Sequence, residues 1–116
     1  MLHQRDFILR LIELAGVAVA RLRAMLGQGG GSDAELVVQE ADQAQAALFG
    51  SLWPVVRVLE PASAAMLISE ERQLRAWVEL LRVQAAAHER LGRLDEAAGL
   101  ITRADALERH ASSAKS

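Results

Sequence analysis

LRVQAAAHERLGRLDEAAGLITRADAL, residues 81–107, is the stretch that decides the fold. Leu81, Ala85 and His88 recur at the spacing of one helix face. Gly92 then ends the pattern, as glycine does just past a helix C-terminus. Arg93 and Leu94 make a short turn, and Asp95 is the expected cap of a second helix. Ala97, Ile101 and Ala104 resume the helical spacing. Small residues on facing stripes let two helix axes approach closely, because the ridges of one helix settle into the grooves of the other. The segment therefore predicts an antiparallel helical hairpin.

Working outward, the hairpin is expected to occupy residues 70–110. Its first helix runs from about Glu70 to Leu91, with Ser69 as cap. Leu74, Trp77, Val78, Leu81, Ala85 and His88 form the apolar face, and Arg72, Arg75, Glu79 and Arg82 the polar one. Glu71 and Arg75 stand at ion-pair spacing. Residues 111–116 read as a frayed tail. Upstream, residues 51–69 are irregular, with short helices opened by Pro54 and Pro61, since proline suits a first turn. Trp53, Val55, Val56, Val58, Leu59, Met66 and Leu67 are expected to pack.

A second helix is expected over residues 32–50. Ser32 and Glu35 have capping-box spacing, Val37, Ala41, Ala44 and Leu48 form the buried stripe, and Gly50 stops the helix. Before it, Gly27 to Gly31 reads as a flexible connector. It is no phosphate-binding loop, because the closing Lys-Ser/Thr is missing and a helix precedes it. The first helix covers residues 1–26. Ile8, Leu11, Ile12, Ala15, Val19, Leu22 and Leu26 form one stripe, and Phe7, Leu14, Ala18 and Met25 a second beside it. An apolar face this wide belongs to a central helix or to one shared with a second subunit.

Composition agrees with helices. Hydrophobic residues make up 52% of the 116 and aromatics only 3%, so the apolar content is mainly Ala, Leu and Val. Tyr is absent and Thr102 is the single threonine; β-rich folds draw on both. A chain of this length fits one domain, residues 1–116, with a single modest core. The net charge of −2 leaves no electrostatic footprint for nucleic acid. Lys115 is the only lysine, and the reliance on Arg reads as high-GC bacterial codon usage. The lack of cysteine excludes disulfides, thiolate metal sites and a Cys nucleophile.

Ala18-Val19-Ala20 mimics a signal cleavage site, but Asp6, Arg10 and Glu13 interrupt the stretch before it. No run approaches the roughly 20 apolar residues of a membrane span. A retained, cytoplasmic N-terminus and no membrane partner are the expectations.

Residues 81–107 resemble one tetratricopeptide-repeat (TPR) unit, a pair of antiparallel helices with small residues where they cross. Ala85 holds the small position of the first helix, Gly92 and Leu94 match the turn, and Ala97, Ile101 and Ala104 match the small-large-small series of the second. The sequence departs from the family with Leu81 for the usual Trp, His88 for the usual Tyr and Arg109 for the closing Pro. Residues 1–50 read as a second, more distorted hairpin of the same kind. Arg5 to Glu13, together with Leu91-Gly92-Arg93 and the Ala97 to Ala104 series, resemble an uncharacterised bacterial family of small all-helical proteins. The fold expected is all-α: a compact array of antiparallel helices with a TPR-like hairpin at its C-terminus.

The residues offer little chemistry. Carboxylates such as Glu71, Asp95 and Glu96 sit where the helix dipole favours them. There is no Glu-x-x-His pair and no Gly-x-Ser-x-Gly elbow. His88 falls on an apolar stripe and reads as a hydrogen-bonded packing residue, while His3 and His110 are near the termini. No catalytic, metal or cofactor site is expected. The function expected is a non-enzymatic protein-interaction or scaffold module, self-associating as a homodimer, with a possible further protein or peptide partner. The candidate surface is Phe7, Leu11, Leu14 and Ala18 on the first helix and the arginine face Arg72, Arg75 and Arg82. In TPR proteins the first helix of each unit lines the peptide groove, which is what the resemblance implies for that face. The alternative is a small-ligand or regulatory domain with a pocket near Trp53, Trp77 and His88.

Overall fold

The computed structural model describes residues 2–28 and 31–113, and the side chains of residues 5–28 and 33–112. Ala- and Leu-rich segments of three-to-four-residue periodicity become helices throughout. The elements are α1 (Leu2–Gln28), α2 (Gly31–Phe49), a 3-10 turn (Gly50–Leu52), α3 (Trp53–Val56), α4 (Pro61–Leu67), α5 (Glu71–Arg90) and α6 (Leu94–Ser113). No strand occurs among the described residues. The all-α class is as the sequence predicts.

α1 and α2 form one antiparallel hairpin, seen in the ion pair from Arg21 to Glu40. α5 and α6 form the other, tied by Arg82 to Asp105 and Glu108. α5 lies against α1, α2 and α6, and α4 closes over α6. It runs parallel to α1 and antiparallel to α2, so the second hairpin docks on both helices of the first. The core runs along this contact: Leu22, Val37, Leu48, Val56, Trp77, Leu80 and Leu107 are the largest side chains fully enclosed.

The turn between α5 and α6 closes at Gly92 as expected, but Leu94 opens α6, so Asp95 lies in its first turn and is not its cap. Gly92 adopts φ +76°, a conformation costly for any residue with a Cβ. Its N–H donates to the Glu89 carbonyl at 3.0 Å, and the Arg93 N–H to that of His88 at 2.9 Å. This pairing satisfies the last carbonyls of α5. Ala85, Ala97 and Ala104 are buried. Gly50, at φ +57°, stops α2 as expected.

Several boundaries differ from the sequence reading. Gly27 and Gln28 belong to α1, and Gly31 opens α2. Glycine in a helix costs only about 1 kcal/mol against alanine, so it does not force a break. Of the predicted connector, Gly29 and Gly30 lie outside the described residues, as does the Ser32 side chain of the capping box. Glu70, not Ser69, is the residue before α5, and no side chain caps that terminus. Helix α6 passes His110 to reach Ser113, because Ala111 is fully buried. Of the predicted tail, residues 114–116 lie outside the described residues. Of the linker residues expected to pack, only Val56 is enclosed, with Trp53 and Leu59 half-buried. Val55, Val58, Met66 and Leu67 face outward, Met66 at 88% and Val58 at 76% exposure. Helices of one or two turns present one side inward, and Val56 and Ala64 occupy it.

Candidate functional site

Three surfaces bring together residues that could meet another molecule. The first follows the edge of α1. Phe7, Leu14 and Val17 are 61%, 57% and 65% exposed. Between this edge and α2 lies a groove of about 180 Å³, lined by Leu11, Leu14, Ala15, Ala18, Ala44, Ala47 and Leu48. The lining is apolar because α1 turns one stripe (Ala15, Val19, Leu22, Leu26) fully into the core and leaves its second stripe on the rim. Alanines at Ala44 and Ala47 leave the floor hollow. The structure thus places all four apolar residues of the sequence-predicted surface, Phe7, Leu11, Leu14 and Ala18, on one edge.

The predicted arginine face is different. Arg72 is exposed, beside Ile12, Gly16 and Val19 of α1. Arg75 Nε donates to Glu71 at 3.1 Å, the ion pair that the i,i+4 spacing foretells. Arg82 is held by Asp105 at 2.9 Å and by Glu108. Hydrogen bonds from the guanidinium to Glu108 and then Asp105 raise its pKa above the ordinary arginine value. Arg75 and Arg82 do share a groove of about 200 Å³ with Arg23, Glu79 and Glu108. Yet two of the three predicted arginines are engaged within the chain, and Arg82 ties α5 to α6.

The predicted aromatic pocket divides in two. Trp77 is fully enclosed, with Phe49 edge-on at 5.0 Å and Trp53 edge-on at 6.0 Å. The guanidinium of Arg103 lies 4.9 Å from its ring centroid. His88 lies three turns further along α5, about 16 Å away at 1.5 Å per residue. It borders a separate groove of about 470 Å³ with Val38, Asp42, Gln84, Glu96, Gly99 and Leu100. Its Nδ1 is buried without a hydrogen-bond partner, which corrects the expectation of a hydrogen-bonded packing residue. His110 is exposed, and the His3 side chain lies outside the described residues.

Sequence reading missed a polar seam inside the fold. Trp77 Nε1 donates to Gln45 Oε1 at 3.0 Å, and Gln45 Nε2 donates to Gln84 Oε1 at 2.9 Å. Gln84 Nε2 donates to the Val38 carbonyl and Gln73 Nε2 to the Leu48 carbonyl, both at 3.0 Å. All three glutamines are buried. Gln73, Trp77 and Gln84 share a helix stripe, so helical spacing with Trp77 was the signal that could have found them. Arg103 was missed as well. It donates to the carbonyls of Leu59 at 2.8 Å and Val56 at 3.1 Å, at the end of the short α3, where the Val56 carbonyl also accepts the Leu59 N–H at 3.3 Å. Burial lowers its pKa, yet a guanidinium stays charged across ordinary pH. These groups are spent on the fold.

Among the described residues no helix is long and apolar enough to cross a membrane, and no three His, Asp or Glu side chains cluster to hold a metal ion. In comparisons with known proteins, no family model, curated sequence or solved structure matches this chain.

Proposed function

We propose that the protein is a non-enzymatic interaction module that self-associates through the α1–α2 edge. The observation that carries this reading is the pairing of Phe7, Leu14 and Val17, all more than half exposed, with the apolar groove beside them. Contiguous apolar surface of this kind marks an interaction site more often than it marks plain surface. The arrangement of the helices supports a scaffold role. A hairpin crossed on Ala85, Ala97 and Ala104, docked through α5 on both helices of a preceding hairpin, is how TPR units stack. Two such units fall short of the three or so that close a repeat array, so a second copy is the economical completion. We place the protein in the bacterial cytoplasm on the sequence arguments above.

Sedimentation velocity of the full chain tests this, from roughly one to a few hundred micromolar, where a modest interface half-dissociates. The expected result is a weight-average mass that climbs toward twice that of one chain. A monomer at every concentration overturns the reading. That outcome leaves the second one, a small-ligand domain, whose supporting observation is the partnerless His88 Nδ1 beside the groove between α2 and α6.

A further inference from the structure

We infer that two copies pair about a two-fold axis that passes beside α1, level with the step from Leu11 to Ile12, so that each copy's Phe7 fills the other's α1–α2 groove. The inference rests on the self-association reading above and specifies its geometry.

Shape is the first argument. Phe7, Leu11, Leu14 and Ala18 are spaced four, three and four residues apart, the alternation of a helix–helix seam. Phe7 stands out from this edge, while the groove sits further along it between Leu11 and Ala18. Knob and hollow therefore lie on the same face of the same helix. A two-fold interface uses one patch twice, so a patch that carries both halves of a contact is self-complementary. The hollow, at about 180 Å³, suits an aromatic ring: a cavity of about 150 Å³ is enough for benzene. With the axis between residues 11 and 12, antiparallel α1 helices set Phe7 of one copy opposite residue 16 of the other. Gly16 itself turns toward α5, but at the same level on the α2 side of the helix stand Leu14, Ala15 and Ala18, and Ala44 and Ala47 of α2 complete the hollow.

Charge is the second argument. The same axis sets Arg10 of each copy opposite Glu13 of the other. Both are exposed, and neither has an ion-pair partner among the described residues. They stand on the outer flank of the Phe7–Leu14 edge, clear of α2 and α5. The two-fold gives each one partner of opposite sign, two equivalent pairs in the dimer, and a shift by one helical turn in either direction removes both pairs. The result is a four-helix bundle of two α1–α2 hairpins, with the α5–α6 hairpins outside. The seam from Phe7 to Ala18 is only about 17 Å long at 1.5 Å per residue. A seam this short is at the small end of interface sizes, so affinity is read from a concentration series.

The experiment compares the wild-type chain with Phe7→Ala, Arg10→Glu, Glu13→Arg and the double Arg10→Glu/Glu13→Arg variant by sedimentation equilibrium, with circular dichroism as a check on folding. These positions are exposed, so the monomer is expected to keep its helix content. Phe7→Ala is expected to weaken dimerisation roughly thirty-fold or more, as loss of a central aromatic does. Each single charge reversal weakens it by a smaller factor, and the double reversal restores wild-type affinity. A wild-type monomer throughout overturns this inference together with the reading beneath it. A wild-type dimer indifferent to Phe7→Ala, or a double reversal weaker than either single one, overturns this geometry alone and leaves self-association through another face.

Discussion

Helices α1 and α5 run in the same direction, side by side, and are treated by the fold in opposite ways. Ten residues of α5 are buried, because α1, α2 and α6 all lie against it. On α1, although it is the longer helix, only Ala15, Val19, Leu22 and Leu26 are buried among the described side chains. α5 holds charged side chains in five of its first twelve positions, Glu71, Arg72, Arg75, Glu79 and Arg82, while α1 carries Phe7, Leu14 and Val17 outward. Hydrophobicity is therefore no measure of burial here. What decides burial is how many neighbours a helix has, and α5 lies between two hairpins where α1 lies at the end of one. The central helix holds its register with buried glutamines; the outer helix is left with apolar surface that no other described residue covers.

Breaking the seam of α5 is the severest test of that contrast. Gln45→Ala leaves Trp77 Nε1 and Gln84 Oε1 without the partners that hold them. Two buried polar groups lose their hydrogen bonds, and unfolding free energy should fall by about 3 kcal/mol in urea denaturation. Next comes the crossing of α5 and α6. Ala104 is fully buried; Ala104→Leu forces the two axes apart and is expected to cost about 2 kcal/mol, with the hairpin turn at Gly92 losing amide-exchange protection. The smallest effect belongs to α1. Phe7→Ala should change the stability of the monomer by less than about 0.5 kcal/mol, measured at a concentration too low for dimers. A large loss there would mean that α1 is as enclosed as α5, and the contrast would fail.

Much of this was legible in the residues. The Leu81–Leu107 spacing foretold the hairpin, Gly50 and Gly92 marked helix ends, and the stripe from Ala15 to Leu26 proved to be core. The second stripe of α1 was readable as an apolar face but not as an uncovered one, because periodicity reports which residues share a side and is silent on what that side meets. The arginine face illustrates the same limit. The pair Glu71–Arg75 is local and follows from i,i+4 spacing. Arg82 meets Asp105 and Glu108 more than twenty positions away, and only the closure of α5 on α6 brings them together. Trp53, Trp77 and His88 looked like one site because all three stood out in a chain poor in aromatics. Three helical turns keep His88 apart from the tryptophans.

What the sequence determined by itself is the helical character of the chain, the places where glycine and proline interrupt it, and the stripes of small residues on α5 and α6 that end up buried. These depend on neighbours within a turn or two, where backbone conformation and side-chain volume act directly. Only the tertiary structure decided that α5 is the shared centre, that Gln45, Gln73 and Gln84 are sealed inside, and that Phe7 and Leu14 are not. Those outcomes depend on which faces find each other across dozens of residues, and burial is a property of the assembled helices rather than of any one of them.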